Sequence, residues 1–94
     1  MERFVTDFID ISIVDKLIEK GCENANKLTY FEVFKWLLNE KSMYICPDFN
    51  KYRWYYKIYD TTNGELIVES WNEDFIDYDE ALIEGVHEIV NCYL

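Results

Sequence analysis

His87 is the only imidazole in the 94-residue chain, and Cys22, Cys46 and Cys92 are its only thiols. Nucleophilic catalysis needs a Ser or Cys within hydrogen-bond reach of a base, and an acid that orients that base. Cys92 follows His87 by five positions on one predicted helix, a spacing that turns it away from the imidazole. His87 is therefore expected to be a solvated surface residue. A denser cluster of acids, Glu73, Asp74, Asp77, Asp79 and Glu80, raises the question of a divalent cation. An EF-hand loop alternates its oxygen ligands around a central glycine, and this spacing does not. Helix caps and a solvated face account for these acids, together with Glu84 and Glu88 further on. The residues thus imply no catalytic group, no metal ligands and no cofactor.

A third constellation, Arg53, Tyr55, Lys57, Tyr59, Ile67 and Trp71, interleaves aromatic rings with charge. Such a stripe stacks single-stranded bases. It also has the composition of protein–protein hot spots, where Tyr, Trp and Arg are enriched. The chemistry on offer is recognition.

These residues need a sheet to align them. Two alternating β-prone runs flank Thr62-Asn63-Gly64, a strong hairpin signal. A three-residue loop with Gly64 in a left-handed bulge sets Lys57 opposite Glu69, Ile58 opposite Val68, Tyr59 opposite Ile67 and Tyr55 opposite Trp71. Opposed residues share a face. One face then carries Trp54, Tyr56, Ile58, Leu66 and Val68, and is read as the core side. The other carries the aromatic and charged stripe, open to water or to a partner. A run from Met43 to Cys46, ended by Pro47, supplies a third strand at an edge, and Asp48 to Asn50 makes the turn.

Three helices are predicted to cover the inner face. Ser12 and Asp15 open the first, over residues 13–21, with Gly21 as its stop. Thr29 and Glu32 form a capping box for the second, which carries Phe31, Phe34, Leu37 and Leu38 at helical spacing and runs to Lys41. Asp77 and Glu80 open the last, whose inner face is expected to hold Leu82, Val86, Ile89, Val90 and Tyr93. Gly85 lies on that face, where it costs roughly 1 kcal/mol relative to Ala, so it is expected to permit close approach to the sheet. Residues 1–11 read as a loosely docked tail. The whole is one α+β domain, a two-layer sandwich of a three-stranded antiparallel meander with helices on one face, in the order α-α-β-β-β-α.

Composition narrows the function classes. An odd, scattered set of three cysteines argues against a disulfide framework and for a reducing cytoplasmic setting. No leader-like segment opens the chain, and no apolar run approaches the ~20 residues of a membrane span. The net charge of −10 is one-sided: residues 1–59 hold nine basic and nine acidic side chains, whereas residues 60–94 hold ten acids and no Lys or Arg. Such a surface repels phosphate backbones and favours basic partners.

ISIVDKLIEKGCEN, TYFEVFKWLLNEKSMYI, WYYKIYD and DYDEALIEGVHEIV, in that order, resemble a group of small proteins of Bacteroidetes genomes and their phages. That resemblance implies a small cytoplasmic protein of gut-bacterial or prophage type, and brings no catalytic residues with it. The DEAL start of the last helix, after two strands, also resembles the HicB antitoxin domain. The helix–meander–helix order is similar to the double-stranded RNA-binding domain, but Asp77, Asp79 and Glu80 stand where that domain needs basic residues, so double-stranded nucleic acid is disfavoured. The expectation is a non-enzymatic protein-binding module, alone or as a homodimer, using the aromatic face. The alternatives are an acidic inhibitor acting through Glu73, Asp74, Asp79, Glu80, Glu84 and Glu88, and a weak single-stranded nucleic-acid binder.

Overall fold

In the computed structural model, which describes residues 2–70 and 74–94, every helix start coincides with a side chain that can satisfy an orphan N–H. Helix α1 (Ile11–Glu19) is capped by Asp10, whose carboxylate accepts from the Ser12 N–H at 2.8 Å. The cap thus falls two residues before the expected Ser12, because the Asp10 carboxylate engages the Ser12 N–H and closes the first turn earlier. A single 3₁₀ turn (Ala25–Lys27) leads to α2 (Tyr30–Lys41). Here the reciprocal Thr29–Glu32 capping box forms as expected, and Ser42 ends the helix in the left-handed conformation at φ 56°. Asp77 caps α3 (Tyr78–Cys92) by accepting from Glu80 N at 2.9 Å.

The sheet is a meander in the order β1 (Met43–Asn50), β2 (Arg53–Asp60), β3 (Glu65–Glu69). Strand β1 is longer than its sequence indicates and passes through Pro47, which pairs with Tyr56. An edge position tolerates the missing N–H. The turn is accordingly Lys51–Tyr52, closed by the Asn50–Arg53 pair, with Lys51 at φ 60°.

The β2–β3 register agrees with the sequence reading at Lys57–Glu69 and Ile58–Val68, then departs from it. Tyr59 pairs with Leu66, and Asp60 with Glu65. The cause is the turn. Asp60 Oδ1 accepts from both the Thr62 N–H (2.8 Å) and its hydroxyl (2.5 Å), Gly64 N–H donates to Asp60 C=O (2.8 Å), and Asn63 Oδ1 accepts from Glu65 N–H (2.9 Å). These bonds make residues 61–64 a four-residue loop. The extra residue is therefore absorbed as a bulge at Ile67 and not at Gly64. Leu66, expected inside, is 47 % exposed as a result.

All three helices lie on one face of the sheet. The core joins Ile13, Leu17, Val33, Leu37, Ile45, Ile58, Leu82, Ile83, Val86 and Ile89, each 1–2 % exposed or less. The described residues span only 18 Å along the shortest axis, which leaves room for one helical layer on one sheet. Gly85 sits at the closest point between them. A Cβ there would lie 2.6 Å from Ile45 Cγ2 and 3.5 Å from Tyr56 Cδ1.

Ile45 is fully buried and β-branched, so it has little freedom to yield. Gly85→Ala is therefore expected to destabilise by about 1–3 kcal/mol despite its better helix propensity. In urea titrations the penalty should shrink in an Ile45→Ala background, because the blocking methyl is gone.

Candidate functional site

The N-terminal segment is tied to the helices through backbone bonds. Ile9 N–H donates to Leu28 C=O, Tyr30 N–H to Asp7 C=O and Phe31 N–H to Val5 C=O, with Phe8 and Thr29 bridged. This addition occupies much of the acidic face. Arg3 Nη2 contacts Glu84 Oε1 at 2.6 Å, and Val5 N–H donates to Asp79 Oδ2 at 2.9 Å. Burial opposes the charge on Arg3, but the hydrogen bond and attraction of Glu84 outweigh it and hold the pKa above its ordinary value. Glu88 accepts a 2.5 Å bond from the Tyr56 hydroxyl. Glu80 is half-buried, and Asp74 is exposed and pairs with Arg53 at 3.2 Å. Glu73 and Trp71 lie outside the described residues. Sequence reasoning treated these acids as a solvated face, whereas most of those described bind within the chain.

His87 is likewise not a solvated residue. It is half-buried, with Nε2 2.8 Å from the Tyr30 hydroxyl, and that hydroxyl also accepts from Asp10 N–H at 3.1 Å. The hydroxyl has both a proton to give and lone pairs to accept with, so it can serve the Asp10 amide and the imidazole at once. Burial pushes the His87 pKa below its ordinary value, with Arg3 adding to it and Glu84 and Asp10 opposing. The signal was present in the sequence only as Tyr30 on one amphipathic helix and His87 on another.

On the outer face of the sheet the expected stripe is largely self-satisfied. Tyr55 is buried at 7 % exposure, and its hydroxyl lies 3.4 Å from Asp48 Oδ2. Lys57 reaches Asp48 (3.5 Å) and Glu69 (3.8 Å) and lies over the Tyr55 ring. Attraction to Tyr55 leads the causes that raise the Lys57 pKa, and the Phe49 N–H bond leads those that lower that of Asp48. Arg53 and Tyr59 are half-buried, and only Ile67 of the described stripe is exposed.

Exposed apolar surface gathers instead at the β1–β2 turn. Beyond β3, Ser70 replaces a ladder partner with its side chain: its N–H donates to Tyr56 C=O (3.0 Å) and its Oγ accepts from Tyr56 N–H (2.9 Å). The chain pairs with β2 again at Phe75, whose N–H and C=O both bond to Trp54. Between Phe75 and the turn lies a groove of about 570 Å³, lined by Asn50, Lys51, Tyr52, Arg53, Asp74, Phe75 and Ile76. Tyr52 is 97 % exposed and Ile76 72 %. Phe49 meets Trp54 edge-on at 5.3 Å between centroids, and Trp54 meets Tyr78 at 5.8 Å. Of the expected site residues the groove unites Arg53 with Asp74, one from each proposed face.

Cys22 is buried, and burial raises its thiol pKa. Cys46 is half-buried, and Cys92 is exposed. Among the described residues no group of three His, Cys, Asp or Glu side chains is arranged to hold a metal ion. No helix among them is long and apolar enough to cross a membrane. Comparison with protein-family models, with curated proteins and with solved structures finds no match to the chain.

The lowered His87 pKa gives a pH signature. Below the unfolded value near 6.5, the unfolded chain takes up a proton that the folded chain resists, so stability is present above that pH and is lost as pH falls. Urea midpoints measured between pH 7.5 and 5.5 should fall for the native chain. The fall should be smaller for His87→Gln, and equal slopes in the two proteins would remove the assignment.

Proposed function

We propose that this chain is a small protein-binding module without chemistry of its own, docking through the groove and aromatic ledge at the β1–β2 turn. The observation that supports the reading is Tyr52, nearly fully exposed on the same groove as a largely exposed Ile76. Apolar side chains grouped around a groove mark interaction surfaces. The ledge beneath them is preorganised: Phe49, Trp54 and Tyr78 brace one another edge to face, and the Trp54–Phe75 bridge pins the groove's far wall. A rigid aromatic platform loses little side-chain entropy on binding, which favours affinity per contact. Arg53 and Lys51 add donors at the rim, the arrangement expected of a hot spot with Tyr at its centre.

The reading is of the non-enzymatic, cytoplasmic kind that the helix and hairpin motifs imply by their resemblance to small Bacteroidetes and phage proteins. His87, the one imidazole, is committed to Tyr30 and away from the groove's lining residues. The net charge of −10 disfavours both a nucleic-acid ligand and a homodimer, since each would bring like charges together.

A photo-crosslinking amino acid placed at Tyr52, with a control at Thr62 on the opposite turn, tests the reading in cells of the source organism. A discrete heterologous protein adduct from position 52 that is absent from position 62 is expected. Tyr52→Ser and Ile76→Ser, both surface changes with stability effects within about 0.5 kcal/mol, should weaken recovery of the same partner. Identical adducts from both positions, or none from position 52, would rule out the groove.

A further inference from the structure

Strand β3 ends the sheet, and no described strand pairs with its outer side. Ser70 N–H points inward to Tyr56 C=O. Backbone groups alternate in direction along an antiparallel strand, so the Glu69 N–H and C=O face the open edge. Ile67 is the extra residue of the bulge and has no β2 partner. The edge also exposes apolar surface, with Leu66 at 47 % and Ile67 at 36 %. Unpaired backbone beside open apolar side chains is the template to which an extended segment adds as a further strand.

Charge selects the occupant. Glu65 and Glu69 bracket Leu66, Ile67 and Val68, and Asp60 lies next to Glu65 across the ladder. The Glu65 side chain is exposed, and the nearest cation of the sheet, Lys57, is engaged with Glu69 and Asp48. No Lys or Arg follows Lys57 in the sequence. A second copy pairing antiparallel about Ile67 would set Glu65 against Glu69 at both ends, and like charges directly opposed destabilise a ladder. We infer that β3 accepts an extended protein segment in which two basic residues bracket an apolar run, added as a fourth strand. The edge is separate from the hairpin-tip groove, and this inference stands whether or not the groove binds anything.

The test uses three synthetic peptides that share a Val-Thr-Val centre and carry Lys, Glu or Ser at both bracketing positions, titrated into the ¹⁵N-labelled full chain at low salt. The Lys peptide should shift the amides of Glu65 to Glu69, leave those of Lys51 to Arg53 unmoved, and bind about tenfold tighter than the Glu peptide, a gap that added salt narrows. Glu69→Pro removes the edge donor and should abolish binding. Because that change also risks the fold, Glu65→Lys serves as a second variant, with the preference expected to move toward the Glu peptide. The inference is overturned by equal binding of all three peptides, by no shift with the Lys peptide at millimolar concentration, or by shifts confined to the groove or α3. A dimer in sedimentation, accompanied without peptide by concentration-dependent shifts of the Glu65 to Glu69 amides, would equally overturn it, by giving the edge to a second copy.

Discussion

The contact of α3 with the sheet at Gly85 sets the spacing on which the other packing depends. A helix normally stands off a sheet by the length of its side chains, but here backbone meets the Ile45 methyl directly. This lets Leu82, Val86 and Ile89 reach into the same layer as Ile58 and Leu37, all essentially without exposure. A chain of this size buries a modest fraction of its unfolded surface, so loss of one close contact forfeits much of the dispersion energy that a thin core can supply. The same approach carries Tyr56 under α3, where its hydroxyl bonds to Glu88 and its ring stacks on Phe75 at 5.8 Å. Tyr56 thereby links the core to both the helix surface and the groove wall.

Once α3 is seated, its outward acids serve a second purpose. They hold residues 3–9 through Arg3–Glu84 and through Asp79 to the Val5 amide, while Asp10 both caps α1 and lies against the Tyr30–His87 pair. The N-terminal segment, α2 and α3 are joined at one junction whose polar groups are mutually satisfied. Buried side-chain polar atoms among the described residues all have a partner, the condition under which a half-buried network supports a unique structure.

How much of this could be read in the sequence follows from the range of each interaction. The Thr29–Glu32 box, the Asp77 cap and the Gly85 approach were legible because local spacing encodes them. The inner face at Tyr56 and Ile58 was legible because alternation survives any register that pairs Ile58 with Val68. The β2–β3 turn was misread by one residue: Asp60 competes for the turn through its side chain, a bond that composition alone does not rank against a left-handed glycine. His87 with Tyr30, and Arg3 with Glu84, join residues 57 and 81 positions apart. Nothing local marks such pairs. The clustering of Tyr52 with Ile76 was hidden for the same reason, since it depends on Phe75 bridging Trp54 across 21 positions of sequence.

The Trp54–Phe75 bridge and the shifted bulge have a common consequence for the sheet. Along one side of β2, Arg53 and Trp54 lie beside Phe75 and the groove, while Lys57 to Asp60 face β3 and its open edge. The other side of β2 is occupied along its whole length by β1, against which α2 packs. Irregularity is thus confined to one flank of the molecule. A regular third strand would have turned Leu66 inward. The Asp60 turn prevents it, placing a polar side chain at the start of the ladder and leaving Leu66 and Ile67 on the surface beside it. At the other end the Ser70 hydroxyl takes the place of a backbone acceptor for the Tyr56 N–H. The exposed Leu66 and Ile67 are therefore a direct product of how the hairpin is closed.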